Sequence, residues 1–372
     1  MRVSAFKVSI GYTDGTSIDI TDSVLYVNIE ENLFGFLAGN LSIVDGLGIL
    51  DSAITNKNNI IIEFEYIKSK VKQTFYLDGV NSIDSTTSLT KKTYVINIKA
   101  IDTILNSMKL VSKSFKGRST DIIKTIFDEA FNTELKVLTD SLTQGHYIAP
   151  NVSPSTAIAQ VQNRAYDIDQ NPFFLFQRLV DNKSTFLTSL GQINDQMTSA
   201  VISTQIQNSE TVDKVLKNIG QPASIIIHSD NDKQAQKIAG GVYGKNIVNL
   251  DVSNSSVVNE SYGATINATS KLNLMRPDMF DNDSKPLLHN GDYSNLCKMQ
   301  TILNLLFNTK VTAYGCQAIP AIGVGNKVEL HIQQNRQGQG PSNKFSGNYI
   351  VSKILHRIED NEYTQTIDLA RG

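Results

Sequence analysis

Five histidines, two cysteines and several close-set carboxylates are the side chains with which this 372-residue chain could do chemistry. The histidines stand at His146, His228, His289, His331 and His356, and no two have the i, i+4 spacing that sets a zinc pair on one helix face. Cys297 and Cys316 form no Cys-x-x-Cys pair and read as reduced, buried small apolar residues. Glu63 and Glu65 share one face of an alternating strand, and paired carboxylates are what glycoside hydrolysis needs. On a strand of that pattern they read instead as its solvent face. The stretch Gly240-Gly241-Val242-Tyr243-Gly244-Lys245-Asn246 imitates a phosphate-cradling loop. Ala239 stands where its first glycine belongs, however, and Asn246 where Ser or Thr would hold Mg²⁺. Asp281-Asn282-Asp283-Ser284-Lys285-Pro286 imitates the start of a calcium loop, but lysine and proline occupy the fifth and sixth positions, where a ligand and a glycine are required. No Gly-x-Ser-x-Gly elbow raises a serine nucleophile. The reading is therefore of no catalytic residue, no cofactor-binding residue, no metal ligand and no enzyme. Nor does the sequence mark which residues would meet another subunit.

The elements around these residues begin as β structure. Val8–Tyr12 and Ser17–Ile20 flank Asp14-Gly15, a tight-hairpin signal. Strands follow at Val24–Glu30, Phe36–Val44, Ile60–Tyr66, Gln73–Val80 and Thr93–Ala100, and seven short strands with polar turns suggest a closed barrel or sandwich. Beyond residue 102 the period changes. Ser119-Thr120-Asp121 caps a helix with Ile122, Ile123, Ile126, Phe127, Ala130 and Phe131 on one face, and Ser153-Pro154 opens another. Phe173–Phe176 and Ser184–Leu190 read as a hairpin, and Val201–Ile206 as a strand. Ser209 opens a helix ending at Ile219-Gly220, and Ala223–His228 is a strand. Residues 229–292 read as irregular and loop-rich, and Ser294–Phe307 as a helix. Lys310–Ala318, Lys327–Ile332, Asn348–Arg357 and Glu362–Leu369 return to strands, with Gln333–Asn343 a long connecting loop.

Composition narrows the classes further. Lysine plus arginine number 34 and aspartate plus glutamate 36, a net charge of −2. Residues 1–102, 103–308 and 309–372 carry −3, −1 and +2, no strong excess in any, which argues against a nucleic-acid binder. Charged residues make up 19%, below the roughly 25% usual for soluble domains. Asn, Ser and Thr fill the difference, and such a polar, weakly charged surface is one that other protein often covers. No apolar run approaches the ~18 residues of a membrane span, and Met1–Phe6 lacks the pattern of a secretory leader. At ~150 residues per domain the length suggests two or three domains.

Two segments taken together resemble a known family. Leu25–Asp45 places Glu30-Glu31-Asn32, then Phe34-Gly35-Phe36, then an alternating strand ending in Asp45. This is similar to the first tube-like barrel of baseplate hub proteins from contractile phage tails, a family that includes the hub portion of type VI secretion spikes. Cys316–Leu330, followed by Phe345–Arg357 with its Gly347-x-Tyr349-x-Val351 strand, is similar to the closing strands of the same family. The order of helix and hairpin between them also fits. The resemblance implies an α+β, β-rich fold with two tail-tube-like β-barrels, the second discontinuous, plus two smaller mixed α/β domains. The first barrel would be 1–102, an α+β domain 103–199, the second barrel 200–228 with 309–372, and an inserted irregular or mixed domain 229–308. It further implies a homotrimer that adapts threefold to sixfold symmetry. Its partners would be a central spike protein, the tail tube protein and other baseplate proteins, with DNA only as passing cargo, no cofactor and no membrane insertion. The place would be the virion, after assembly in the host bacterial cytoplasm. Two alternatives stand beside it: a tail-tip cell-wall hydrolase with its site in 229–292, and a carbohydrate- or receptor-binding β module, against which the absence of tryptophan speaks.

Overall fold

The computed structural model describes residues 3–12, 14–46, 58–66, 69–84, 92–179, 184–203, 219–220, 222–229, 245–251, 256–262, 271–275, 302–303, 309–317, 322–332 and 345–371. A 14-stranded sheet dominates them. Its first arm holds β1 (Ser4–Gly11), β2 (Ser17–Asp19), β3 (Val24–Asn32), β4 (Ala38–Asp45), β5 (Asn59–Tyr66), β6 (Ser69–Asp84) and β7 (Lys92–Ala100). Their spatial order is β3-β4-β7-β6-β5-β1-β2, all antiparallel. Alternation drives the burial. Ile60, Ile62, Phe64 and Tyr66 of β5 turn inward to meet Val8, Ile10, Val27, Ile29, Leu41 and Ile96 in one apolar core, while Ile61, Glu63 and Glu65 turn outward. Each fully buried aliphatic side chain in such a core stabilises by roughly 1.5–3 kcal/mol. The Asp14-Gly15 turn forms as the sequence reads. Gly15 sits at φ +87°, and Asp14 accepts from both the backbone N–H and the hydroxyl of Thr16. At Gly39 the strands β3 and β4 approach so closely that a Cβ would stand 2.1 Å from the Asn28 carbonyl oxygen, which only glycine permits.

The middle of the chain alternates helix and short strand. Ile101–Met108 is helical, then come β8 (Ser114–Arg118), the helix Ser119–Ala130, β9 (Leu135–Val137), β10 (Gln144–Ile148) and the helix Pro154–Gln162. Ser153 caps that last helix by accepting from the N–H of Thr156, with Pro154 in its first turn. β11 (Phe173–Gln177) and β12 (Thr185–Ser189) form the expected hairpin, and β9 adds to β12 in parallel. All ten hairpin residues are buried. The reason is that this small sheet is a wall between two cores. Phe174, Phe176 and Phe186 face one side, whereas Phe173, Leu175 and Leu187 face the core of the helices Ser119–Ala130 and Pro154–Gln162. The strand pattern expected to Leu190 stops one residue earlier, because Ser189 caps a short helix, Leu190–Asp195, through the N–H of Gln192.

The remaining strands return to the large sheet from separated stretches of sequence. They are β13 (Ala200–Ser203), β14 (Ile219–Gly220), β15 (Ser224–Ser229), β19 (Thr309–Gln317), β20 (Lys327–His331), β21 (Gly347–Glu359) and β22 (Glu362–Arg371). Between them, β16 (Lys245–Asp251), β17 (Ser256–Tyr262) and β18 (Lys271–Met275) make a separate three-stranded sheet. This corrects the expectation of an irregular 229–292: asparagines scattered through β16 and β17 break the apolar alternation that marks strands elsewhere. Ile219-Gly220 is likewise a strand, parallel to Val201-Ile202, and not the end of a helix. Residues 204–218, and most of 276–308 including the bulk of the expected Ser294–Phe307 helix, lie outside the described residues; Ile302-Leu303 is helical.

Among the described residues no ladder closes either arm into a ring. The arms instead form one sheet, joined where β3 pairs antiparallel with β21, Ile29 opposite His356. The first arm curls until the N–H of Val3 donates to the Asn361 carbonyl in the β21–β22 turn at 2.8 Å. Each arm keeps its own core, the second built on Ile202, Val311, Val328, Tyr349, Val351 and Leu369 with the aromatic wall of the hairpin. Phe176→Ala, which removes a fully buried ring from that wall, is expected to cost about 3–5 kcal/mol of unfolding free energy in a denaturant titration.

Candidate functional site

The side chains that could do chemistry are dispersed by the fold. Glu63 points outward from β5 to pair with Lys72 at 2.8 Å, and Glu65 stands opposite Lys70 in register. Lys245 and Asn246 open β16 opposite Tyr262 and Ser261, a strand where a phosphate loop would need the start of a helix; 240–244 are outside the described residues. Asp281–Pro286, His289 and Cys297 are outside them as well. His146 lies exposed on β10, and His331 pairs with Glu329 on its own strand at 3.0 Å. His228 lies 3.2 Å from the Thr312 hydroxyl, which donates to Asp368 at 2.7 Å. In that order the hydroxyl points its hydrogen at the carboxylate and not at the imidazole. Cys316 is buried, and burial pushes its thiol up to about 12, an unreactive state. A groove of about 640 Å³ runs between the β3–β4 connection and the helix Pro154–Gln162, but its charged members Glu30 and Lys99 are held by Lys353 and Asp78. No grouping of His, Cys, Asp and Glu among the described residues could hold a metal ion.

One polar cluster was not anticipated. Glu31 of β3 and His356 of β21, 0% and 1% exposed, face each other where the two arms join. His356 Nε2 stands 3.2 Å from Glu31 Oε1 as an ion pair, off the straight line a hydrogen bond would need. The backbone N–H of Leu179, just past β11, donates to Oε1 at 2.6 Å, and the N–H of Val324, just before β20, donates to Oε2 at 3.1 Å. On the far side of the imidazole, Nδ1 and the Tyr363 hydroxyl share a hydrogen bond of 2.6 Å, and Gln365 Nε2 donates to the same hydroxyl at 3.5 Å. One carboxylate thus receives donors from the middle segment and from the second arm while rooted in the first.

The three residues Gln177, Arg178 and Leu179 carry this junction outward. Gln177 donates its backbone N–H to the Gly35 carbonyl, accepts from Leu37 N at 3.2 Å and donates through Nε2 to Asp102 Oδ2 at 3.5 Å. Arg178 donates from Nε to the Val324 carbonyl at 2.8 Å and lies over the rings of Phe176 and Phe186. Gly325, at φ +78°, packs where a Cβ would stand 2.6 Å from the Phe176 ring, so the Gly323–Asn326 turn sits flat on that platform. The β3–β4 connection meets it from below, sending Leu33 to the second core and Leu37 to the first, with Phe36 against the first and third.

Two buried carboxylates hold this segment, and they titrate in opposite senses. Burial pushes the Glu31 carboxyl up, but His356 and the N–H donors of Leu179 and Val324 outweigh it and hold the group below the usual glutamate range. Asp102, at the start of the helix Ile101–Met108, is raised by burial. Thr133 and Gln177 share its Oδ2, and Oδ1 has no hydrogen-bond partner. Burial, reinforced by the Glu31 charge, raises Tyr363 far above the ordinary phenol value, so it stays neutral.

A signal for the junction is present in the sequence. The inward phase of β3 runs Val27, Ile29, Glu31; that of β21 runs Ile354, His356, Ile358; that of β22 runs Tyr363, Gln365, Ile367. A carboxylate and an imidazole on the apolar phase of two strands announce a buried pair. The donors from Leu179 and Val324 are backbone groups and leave no such trace.

With this architecture in hand, comparison with solved structures is informative. The chain superposes on the 43 kDa tail protein of prophage MuSo2 from Shewanella oneidensis with a TM-score of 0.61 at 10% identity, covering 99% of this chain and 98% of that one. A tail protein from Neisseria meningitidis MC58 matches with a TM-score of 0.61 at 11% identity, over 99% and 97%. An E. coli protein described as a component of the type VI secretion system, similar to the T4 tail proteins gp27 and gp5, matches with a TM-score of 0.53 at 7% identity, over 94% and 74%. No family model matches the chain, and no curated protein matches it in sequence. The fold is therefore that of phage tail proteins and of a type VI secretion component, shared over nearly the whole chain.

Glu31→Ala leaves His356 and two buried N–H groups without an acceptor and is expected to cost about 3–5 kcal/mol in a denaturant titration. Because the folded value of Glu31 is depressed, its contribution is present above the unfolded value of about 4.3 and is lost as pH falls through the folded value. Asp102 has the opposite sign: its contribution is present below the unfolded value of about 3.9 and is lost as pH rises through the raised folded value. Asp102→Asn should accordingly melt above the wild type at pH 7, with the difference vanishing at low pH, as thermal unfolding across pH would show.

Proposed function

We propose that this chain is the hub of a contractile phage-tail baseplate, a structural adaptor between the central spike and the tail tube. The observation that carries the reading is the fold shared over 99% of this chain and 98% of a prophage tail protein. The relation to a type VI component that is itself similar to gp27 and gp5 supports a spike as the neighbour below. In this reading 1–102 is one tube-like barrel and 200–228 with 309–372 a second, discontinuous one. The α+β domain is 103–199 and 229–308 an inserted domain. The separate apolar cores of the two arms support that division. Three copies carrying two such units each present six to the tube, closing a ring through contacts between unlike edges. The central channel passes DNA, and a net charge of −2 suits it, since a strongly basic wall would retain the polymer.

The role is structural, in the virion, with assembly in the cytoplasm of the host bacterium. Its support is that the described groups able to do chemistry are spent on ladders and on the junction. Light scattering is expected to give three copies of the 41.0 kDa chain per particle, alone or, with the mass of the spike protein added, in its complex, and electron microscopy of that species is expected to show a ring with a six-lobed outline. A particle that stays monomeric in both conditions, or one that hydrolyses peptidoglycan, would overturn the reading.

A further inference from the structure

The Glu31 carboxylate has an asymmetry that the hub reading does not use. Oε1 accepts from Leu179 N at 2.6 Å and faces His356 Nε2 at 3.2 Å, whereas Oε2 accepts from Val324 N alone, at 3.1 Å. We propose that Glu31 is a proton-operated latch: a proton taken up on Oε2 releases the Gly323–Asn326 turn of the second arm while Leu179 and the continuous sheet stay bound. The argument is one of donors and acceptors. A protonated carboxyl oxygen becomes a donor, and at Oε2 it would point its hydrogen at the N–H of Val324. Oε1 holds the shorter bond, 2.6 Å from Leu179 N against 3.1 Å from Val324 N at Oε2, and faces the imidazole besides, so the proton goes to Oε2. The released turn retains bonds that do not pass through Glu31: Gly323 N to Asn326 Oδ1, Asn326 N to the Gly323 carbonyl, Gly325 N to the Val351 carbonyl, Val351 N to the Asn326 carbonyl, and Arg178 Nε to the Val324 carbonyl. These close the turn on itself and on its own arm and on Arg178, so Oε2 is its bond to the first arm.

The titratable and charged groups around Glu31 are His356 from β21, Tyr363 from β22, Tyr66 from β5 beside the Tyr363 ring, and Arg178 behind the Val324 carbonyl. Both phenols are raised by burial and stay neutral throughout acidification. The depressed folded value of Glu31 places release below the usual carboxylate range.

Residue-resolved hydrogen–deuterium exchange of the intact chain, expressed as protection relative to intrinsic rates from pH 7 downward, tests the latch. The expected result is a fall in Val324 protection of about ten- to a hundredfold, the loss of one bond to a charged acceptor. Leu179 and the sheet amides of Ile29 and Ile354 should keep theirs. Glu31→Gln offers one carbonyl and one amide NH₂ and should lower Val324 protection selectively at pH 7; should it fail to fold, the wild-type pH series decides alone. Val324 losing protection only together with Ile29 and Ile354, or Leu179 opening before Val324, would overturn the proposal.

Discussion

A carboxylate placed in an apolar interior must find donors or fold poorly, and much of this structure is arranged around that demand at Glu31. Ile29 of β3 and Leu33 just beyond the strand flank it and are buried, and Glu31 itself is fully buried, out of reach of water. The donors come from three other parts of the chain: an imidazole on β21, a backbone N–H past β11 and a backbone N–H before β20. Segments far apart in sequence are thereby set in register by one side chain. A hydrogen bond to a charged acceptor contributes about 1.5–3 kcal/mol, more than a typical neutral one. Two such bonds and an ion pair make this point worth a large share of the 5–15 kcal/mol by which most domains are stable.

The surrounding packing makes sense as the frame that keeps the carboxylate dry. The β11–β12 hairpin is apolar on both faces because it divides two cores, and its exit through Gln177, Arg178 and Leu179 is where those cores meet the first arm. Gly325 brings the second arm's turn flat onto Phe176, and Arg178 bonds its carbonyl, so the Val324 N–H is aimed at Glu31. The outer faces, by contrast, carry exposed ion pairs such as Lys72–Glu63 and Lys99–Asp78, each worth little to stability.

Much of this could be read from the residues. Strands such as β5 and β7 show strict alternation, so their faces were legible, and the outward pair Glu63 and Glu65 was placed correctly on the solvent side. The Asp14-Gly15 turn and the Ser153-Pro154 helix start declared themselves through local chemistry. Sheet closure did not, because whether β3 and β21 pair with each other or with strands of their own arm depends on contacts between residues 300 positions apart in order of magnitude. Asparagine-rich β16 and β17 were hidden by weak alternation. The junction was half legible: Glu31 and His356 sit in the apolar phase of their strands, but its decisive partners are main-chain N–H groups, which no residue type encodes.

The measurement that bears most directly on the junction is a double-mutant cycle between Glu31→Gln and His356→Gln, read from denaturant unfolding of the full chain. If one carboxylate and one imidazole act as a unit, the two losses are strongly non-additive, with a coupling of about 1–3 kcal/mol. Losses that add within about 0.5 kcal/mol would mean that the pair is two independent buried groups, and would contradict the account.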